Sequence, residues 1–360
     1  MPVPAARTTL RMTGSDAAAV LSDERIAERR VLFGPVAGAF PAVRLEGPVA
    51  LLGTERSLHV LRDELFGGAH VYRYAGARPH NPRAAVEEAR ALAETHACRS
   101  VVAIGSSSAI DLGKAVLEVR DVVLALVPTA LGGAEMSRSY GMLDGDRKSG
   151  GRIASPAPIV VYDAALLASL PRRELGSIGI NAWAHTIEAA YARTQHVLGT
   201  AAAVEAGRML PRLLKRAAER RDEAVHRVLF EAAHLAGFAL DTRSMGLHHA
   251  VCHVLGGLTQ IPHGIVNGIV LPHAVRANAR LAPDAVSAVA QAFGIPDLAA
   301  EAESISVAYD LPRTLAELGA APDVPARALP RVLEHRLLAN NPAPPDAATV
   351  EELLRRAYAG

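Results

Sequence analysis

The sequence predicts an N-terminal α/β domain with a mostly parallel, Rossmann-like sheet, followed by an all-α C-terminal domain. Three observations carry this. Up to residue 163, short apolar runs rich in Val, Ile and Leu alternate with helical stretches, the pattern of βαβ units. Beyond that point nearly every segment has helical spacing, and breaks fall at proline or glycine. With 360 residues, 50% hydrophobic and 21% charged, the chain can bury two cores and is not disordered.

The elements follow in order. Residues 1–25 mix Ala, Ser, Asp and Arg without periodicity and read as an extension, loose or packed on a partner. The α/β domain spans 26–163. Strands are expected at Arg30–Gly34, Val49–Gly53, Ala69–Arg73, Ser100–Ile104, Val122–Val127 and Ile159–Tyr162. Helices are expected at about 57–66, 82–96 and 108–118. The helical domain spans 164–360. Its helices fall at about 178–193, 200–220, 223–240, 246–256, 265–279, 298–310, 325–336 and 347–358, with breaks at Pro262, Pro283, Pro296, Pro312 and Asn341-Pro342-Ala343-Pro344-Pro345.

Composition excludes several classes. A net charge of +1 without long charged blocks argues against nucleic acid as a main partner. Two cysteines, Cys98 and Cys252, make neither a disulfide framework nor a cysteine zinc site. No apolar run reaches membrane-spanning length, and the first residues lack a signal-peptide core. A cytoplasmic, soluble protein is expected.

Two loops face the C-terminal ends of strands. Gly105-Ser106-Ser107-Ser108 follows a buried strand and opens a helix. Small residues there let backbone N–H groups approach a phosphate at a helix N-terminus, although Ser108 also suits a plain N-cap. Pro128-Thr129-Ala130-Leu131-Gly132-Gly133 forms a second loop after the next strand. Two such loops fit a cofactor crevice.

The densest chemistry lies in Gly246-Leu247-His248-His249-Ala250-Val251-Cys252-His253, running on to Pro262-His263-Gly264. On a helix His249 and His253, four apart, share a face, and His248 points about 100° away. Gly256-Gly257 is expected to end this helix. Asn181 and His185 are a second pair four apart. One buried histidine is ordinarily a satisfied core residue; four within sixteen residues beside a second polar pair point to a shared pocket between helices.

These pieces, with Ala134-Glu135-Met136-Ser137, Asp146-Arg147-Lys148-Ser149, Val161-Tyr162-Asp163, Ile180-Asn181-Ala182-Trp183-Ala184-His185 and Cys252-His253-Val254-Leu255-Gly256-Gly257, resemble the iron-containing alcohol dehydrogenase superfamily from end to end. Within it the chain is similar to the maleylacetate reductase branch. The resemblance implies a dinucleotide-binding domain and a helical substrate domain, a fold shared with dehydroquinate synthase-like cyclases. It implies NADH or NADPH as cofactor, met by Glu55, Gly105, Ser106, Ser107, Ser108, Asp111, Thr129, Leu131 and Lys148. Glu55 stands where an acid meets the adenine ribose, while Arg56 beside it suits a 2′-phosphate.

In metal-dependent members an aspartate and three histidines hold Fe²⁺ or Zn²⁺. Those places are Asn181, His185, His249 and His263, and His253 matches a histidine near the substrate. Asn in the first place marks a vestigial site and favours a metal-free enzyme, because a neutral amide oxygen is a weaker ligand than a carboxylate. The expected catalytic set is His253 and His249, with His185, His263 and Asn181 lining the pocket. Arg243 or Arg138 could hold substrate carboxylates, although a surface ion pair is the commoner use of such residues. The expected reaction is NAD(P)H-dependent reduction of a carboxylated enone or carbonyl. The rivals are a metal-dependent alcohol dehydrogenase, a cyclase and a non-catalytic binding protein. A homodimer is expected, with an edge strand near Val31–Phe33 covered by a second subunit.

Overall fold

A computed structural model describes residues 8–10, 21–26, 29–79, 81–144, 147–153 and 159–360. The chain divides into two compact units. One runs to Ala130 and from Ala134 to Ser169; the other comprises Leu131–Gly133 and Leu170–Gly360.

The first unit is built on an eight-stranded sheet. Its strands are β1 (Thr8–Leu10), β2 (Leu21–Ile26), β3 (Arg29–Phe33), β4 (Val49–Gly53), β5 (Val71–Tyr74), β6 (Ser100–Gly105), β7 (Val123–Pro128) and, after a separate hairpin of β8 (Ser139–Asp144) and β9 (Arg147–Arg152), β10 (Ile159–Tyr162). The order is β1-β2-β3-β10-β7-β6-β4-β5. The six strands from β3 to β5 in that order pair parallel; β1 and β2 add on antiparallel. Central strands such as β4 and β6 are buried along their whole length. That is why they read as continuous apolar runs rather than alternating ones.

Among the described residues five helices belong to this unit: α1 (Val36–Val43), α2 (Glu55–Leu58), α3 (Arg83–Thr95), α4 (Ser107–Leu117) and, after β10, α5 (Ala164–Ala168). Val36, Phe40, Leu51, Ile104, Val127 and Val161 belong to one core cluster. The single helix expected at 57–66 is instead α2 and a 3₁₀ turn, Asp63–Phe66. Thr54 and Ser57 close a capping box at the start of α2, so the turn is fixed two residues earlier than periodicity suggested. The N-terminal extension carries β1 and β2, and the rest of residues 1–20 lies outside the described residues. Since β3 has β2 on one side and β10 on the other, Val31–Phe33 is not an edge.

The second unit is helical: α6 (Arg172–Tyr191), α7 (Val197–Glu219), α8 (Glu223–Arg243), α9 (Leu247–Thr259), α10 (His263–Leu281), α11 (Pro283–Phe293), α12 (Leu298–Ala308), α13 (Val324–Leu333) and α14 (Ala347–Ala359). Two boundaries differ from expectation for local reasons. Gly256 and Gly257 lie inside α9, which ends at Gln260 in the left-handed region. Pro283 does not break the chain but opens α11 at its first position, where the missing N–H costs nothing. One buried cluster gathers Leu247, Val251 and Leu255 of α9, Val266 and Ile269 of α10, Val332 of α13, and Val350 and Leu354 of α14. Trp183 of α6 is fully buried and donates to the Gly207 carbonyl of α7 at 3.2 Å. Among the described residues no helix is long and apolar enough to cross a membrane.

Candidate active site

In the α/β unit the phosphate-type loop forms at the end of β6. Gly105 has φ +145°, and a Cβ there would lie 2.9 Å from that of Ala109, so only glycine lets the chain turn so close to α4. The N-cap of α4 is Ser106, not Ser108, and its side chain makes no capping bond. The Ser106 and Ser107 side chains are exposed. The first N–H groups of α4 therefore stay open to an anion. Asn81 Nδ2 fixes the loop from behind through the Ser108 carbonyl at 2.7 Å, and Thr129 N–H donates to the Gly105 carbonyl at 3.0 Å.

Other expected cofactor residues are placed as follows. Glu55 is exposed at the first position of α2, directly after β4. Asp111 faces inward: it pairs with the fully buried Lys114 at 2.8 Å and accepts from Gly141 N–H at 3.1 Å. Lys114 also donates to the carbonyls of Ala134, Ser137 and Ser139. Asp111 and Lys114 thus tie α4 to the following loop and to β8. Leu131 is fully buried in the short segment that belongs to the helical unit. Lys148 pairs with Leu143 in the β8–β9 hairpin; its side chain lies outside the described residues.

In the helical unit, α6, α9 and α10 bring the polar cluster together. Asn181, His185 and Glu188 recur at four and three residues along α6, hence on one face, and all three are buried. His248, His249 and His253 come from α9, and His263 opens α10. Gly264 lets α10 approach α6: a Cβ there would meet the Ser177 hydroxyl at 2.9 Å and the Ser177 backbone at 3.1 Å.

The hydrogen bonds set the imidazole tautomers. His248 Nε2 lies 3.3 Å from the Asn267 carbonyl, which can only accept, so Nε2 carries the proton and Nδ1 a lone pair. His249 Nδ1 lies 3.1 Å from that lone pair and 2.6 Å from Glu188 Oε2; it therefore carries a proton. The lone pair of a neutral His249 then sits on Nε2, 3.2 Å from Asn181 Oδ1. Glu188 Oε1 also accepts from His248 N–H at 2.8 Å, in the first turn of α9. Leu247 N–H is taken by Asn341 Oδ1 at 3.1 Å.

The rings lie close. His185 stacks on His249 with centroids 4.7 Å apart; His263 is 6.1 Å from His249 and 5.8 Å from His253. His335, from the segment after α13, lies 5.4 Å from His253. Burial is the main cause that holds His185 and His249 well below, and His248 below, the ordinary histidine range, with neighbouring histidines adding to it for His185 and His249. These rings are neutral at neutral pH. Burial also pushes the Glu188 carboxyl above the usual range, against the pull of His248 and three backbone N–H groups.

Could these residues hold a divalent ion? A buried lone pair on His249 Nε2 faces an amide oxygen, and buried His185 Nδ1 has no hydrogen-bond partner among the described residues. That donor set fits a cation, or an Asn181 amide turned to present its N–H₂. Ligand atoms of Glu188, His248 and His249 also lie within 4.8 Å of one another. The 2.6 Å separation of His249 and Glu188 is that of a hydrogen bond, and it orients His249 as a carboxylate behind a ligand histidine does.

Sequence reasoning missed Glu188 and His335. Glu188 had a readable signal, since it follows His185 by three residues on the Asn181 face. His335 had none, because only folding brings it to His253. Arg243 is neither a carboxylate anchor nor a surface ion pair. It is 3% exposed and donates to the Ala189 and Ala192 carbonyls at the end of α6. Arg138 is exposed ahead of β8.

Residues 49–164 match the family described as iron-containing alcohol dehydrogenase, and 177–358 match its C-terminal domain. The maleylacetate reductase of Pseudomonas knackmussii is 32% identical over 344 residues, 92% of this chain and 96% of that one. That of Rhodococcus opacus is 32% identical over 302 residues, 81% and 84% of the two chains. The crystal structure of maleylacetate reductase from Agrobacterium tumefaciens superposes with a TM-score of 0.84 at 26% identity, covering 93% of this chain and 97% of that one. An iron-containing alcohol dehydrogenase from Corynebacterium glutamicum gives 0.84 at 25% identity, with 99% and 98% covered. A parallel-sheet unit, a helical unit with a buried histidine cluster and these likenesses define an oxidoreductase. The chain belongs to the iron-containing alcohol dehydrogenase family, and its relatives there include maleylacetate reductases.

Proposed function

We propose that the protein reduces a carboxylated enone or carbonyl of the maleylacetate type with NADH or NADPH, giving 3-oxoadipate from maleylacetate. The carrying observation is the neutral histidine cluster backed by the 2.6 Å bond between His249 and Glu188, in a chain that is about one-third identical to maleylacetate reductases. The open N-terminus of α4 and the exposed Ser106 and Ser107 suit the cofactor pyrophosphate. Hydride goes to the carbon β to the ketone, and negative charge gathers on the ketone oxygen. Neutral imidazole N–H groups stabilise such a charge without first giving up a proton of their own. We assign His253 the proton delivered to the enolate. His249, its N–H committed to Glu188, can hold the Asn181 amide through its Nε2 lone pair once that amide presents its N–H₂, and so positions the pocket rather than binding the oxygen itself. His185, His263 and Asn181 line the pocket.

A divalent ion held by His185, His249 and His263 with the Asn181 amide would polarise the ketone oxygen. The donor set is neutral, and the nearest buried carboxylate, Glu188, is spent on His249 and on the backbone of α9. We therefore expect only weak retention of metal and turnover that does not require it.

Purified, metal-analysed protein should oxidise NADH or NADPH when given maleylacetate and yield 3-oxoadipate by mass spectrometry. In the same assay His253→Ala should lower kcat by roughly 10²–10⁴. Absence of turnover on maleylacetate and on other unsaturated oxo-acids would remove this reading.

A further inference from the structure

A cavity of about 510 Å³ opens in the helical unit, and none of the clustered histidines lines it. Its walls come from α10, α12, α14 and the segment Pro312–Thr314. Ile269, Pro272 and Leu353 supply apolar surface. The volume is that of an ordinary small-molecule pocket.

Its charges are unbalanced. Four arginines line it, Arg276, Arg280, Arg313 and Arg356, against two glutamates, Glu303 and Glu352. Both glutamates are already engaged. Glu303 pairs with Arg276 at 2.8 Å, and Glu352 with Arg356 at 2.8 Å and with Arg355 Nε and Nη2, each at 2.9 Å. Although the Arg313 backbone N–H donates to Glu317 Oε2 at 3.0 Å, neither the Arg280 nor the Arg313 guanidinium pairs with a carboxylate among the described residues. The Ser306 hydroxyl likewise makes no hydrogen bond there. His273 in the wall reports the local field: burial first, then the charges of Arg276 and Arg356, hold its pKa down to about 4 against the opposing pull of Glu303 and Glu352. A further positive charge is unwelcome in this space and a negative one is favoured.

We propose that this cavity is a second ligand site, one that takes a small organic dianion. Its oxyanion lies on the Arg280 and Arg313 guanidinium groups, and its carbon body rests on Ile269, Pro272 and Leu353. A planar guanidinium offers two parallel N–H bonds to a carboxylate or phosphate, so the shared chemistry is a carboxylate or phosphate dianion. The site is independent of the reaction at the histidine cluster. Its inner wall nevertheless belongs to α10, the helix that presents His263 and whose Asn267 carbonyl accepts from His248.

The test uses the whole protein and a probe inside the cavity. The His273 ring resonance, assigned with His273→Gln, is followed by NMR while inorganic phosphate or succinate is titrated at constant pH and ionic strength. Either probe should give a saturable shift and raise the His273 pKa. Arg280→Ser with Arg313→Ser should weaken the response at least about tenfold, the worth of one charge-assisted hydrogen bond. A response to phosphate alone assigns a phosphorylated ligand, and one to succinate alone a dicarboxylate. Responses no larger than those to matched sodium chloride overturn the proposal. So does an undiminished response in the folded double variant. If that variant does not fold, the two single variants are compared in the same way.

Discussion

His249 makes the cluster work as a unit because each of its ring nitrogens has a defined task. Nδ1 is committed to Glu188, and Nε2 is turned towards Asn181. The cost is burial of neutral imidazoles, which predicts a pH dependence. His185, His248 and His249 have folded-state values below the ordinary one of about 6.5. Below that pH the unfolded chain binds more protons, so their contribution to stability is complete above about 6.5 and is lost as pH falls. Glu188 is raised instead, so its contribution is present below about 4.5 and is lost as pH rises through its folded value. Between these limits three groups oppose one, and the histidines prevail. Urea midpoints measured from pH 8 to pH 5 should fall; a flat or rising series would contradict the buried neutral cluster. Asn181 sets a second expectation. Protein as purified should hold well under one metal per chain and keep its turnover in EDTA. Asn181→Asp should bind Zn²⁺ or Fe²⁺ more tightly by calorimetry, because the carboxylate supplies the anionic ligand that the amide lacks. Stoichiometric metal in the wild type, with activity lost on chelation, would favour the alcohol dehydrogenase reading.

At the scale of elements, helix ends matter most. The start of α4 is left uncapped by Ser106, and that vacancy is what an anion needs. Ser107→Glu should therefore place a carboxylate on the same N–H groups. NADH or NADPH binding, followed by fluorescence titration, should be lost while the far-UV circular dichroism spectrum is retained; unchanged affinity would rule out this loop as the phosphate cradle. The start of α9 is treated in the opposite way. Asn341 takes the Leu247 N–H and Glu188 the His248 N–H, so two side chains distant in sequence hold the histidine helix in place. Both α4 and α9 were legible as helices from their periodicity. The long-range caps of α9 were not, because no local pattern marks a residue that folds back from about 60 to 94 positions away.

At the scale of the whole molecule, the edge of the large sheet has moved outward from β3 to β1. A three-residue edge strand still presents unpaired backbone groups. We expect a second copy to cover it, so light scattering at micromolar concentration should give a homodimer; a monomer would count against that association.

Sequence alone determined the parallel α/β unit and the helical unit, because buried strands and amphipathic helices impose different periods on apolar residues. It also singled out Asn181, His185, His249, His253 and His263 as candidates for one polar cluster, since several polar side chains on apolar helix faces stand out without any structure, and the structure brings them near one another. Tertiary structure decided what those residues do to one another. Only packing brought Glu188 to His249, His335 to His253 and Asn341 to the start of α9, and only packing spent Arg243 and Asp111 on internal bonds. Hydrogen-bond partners and burial are properties of neighbours in space, and spacing along the chain encodes them only within one helix face.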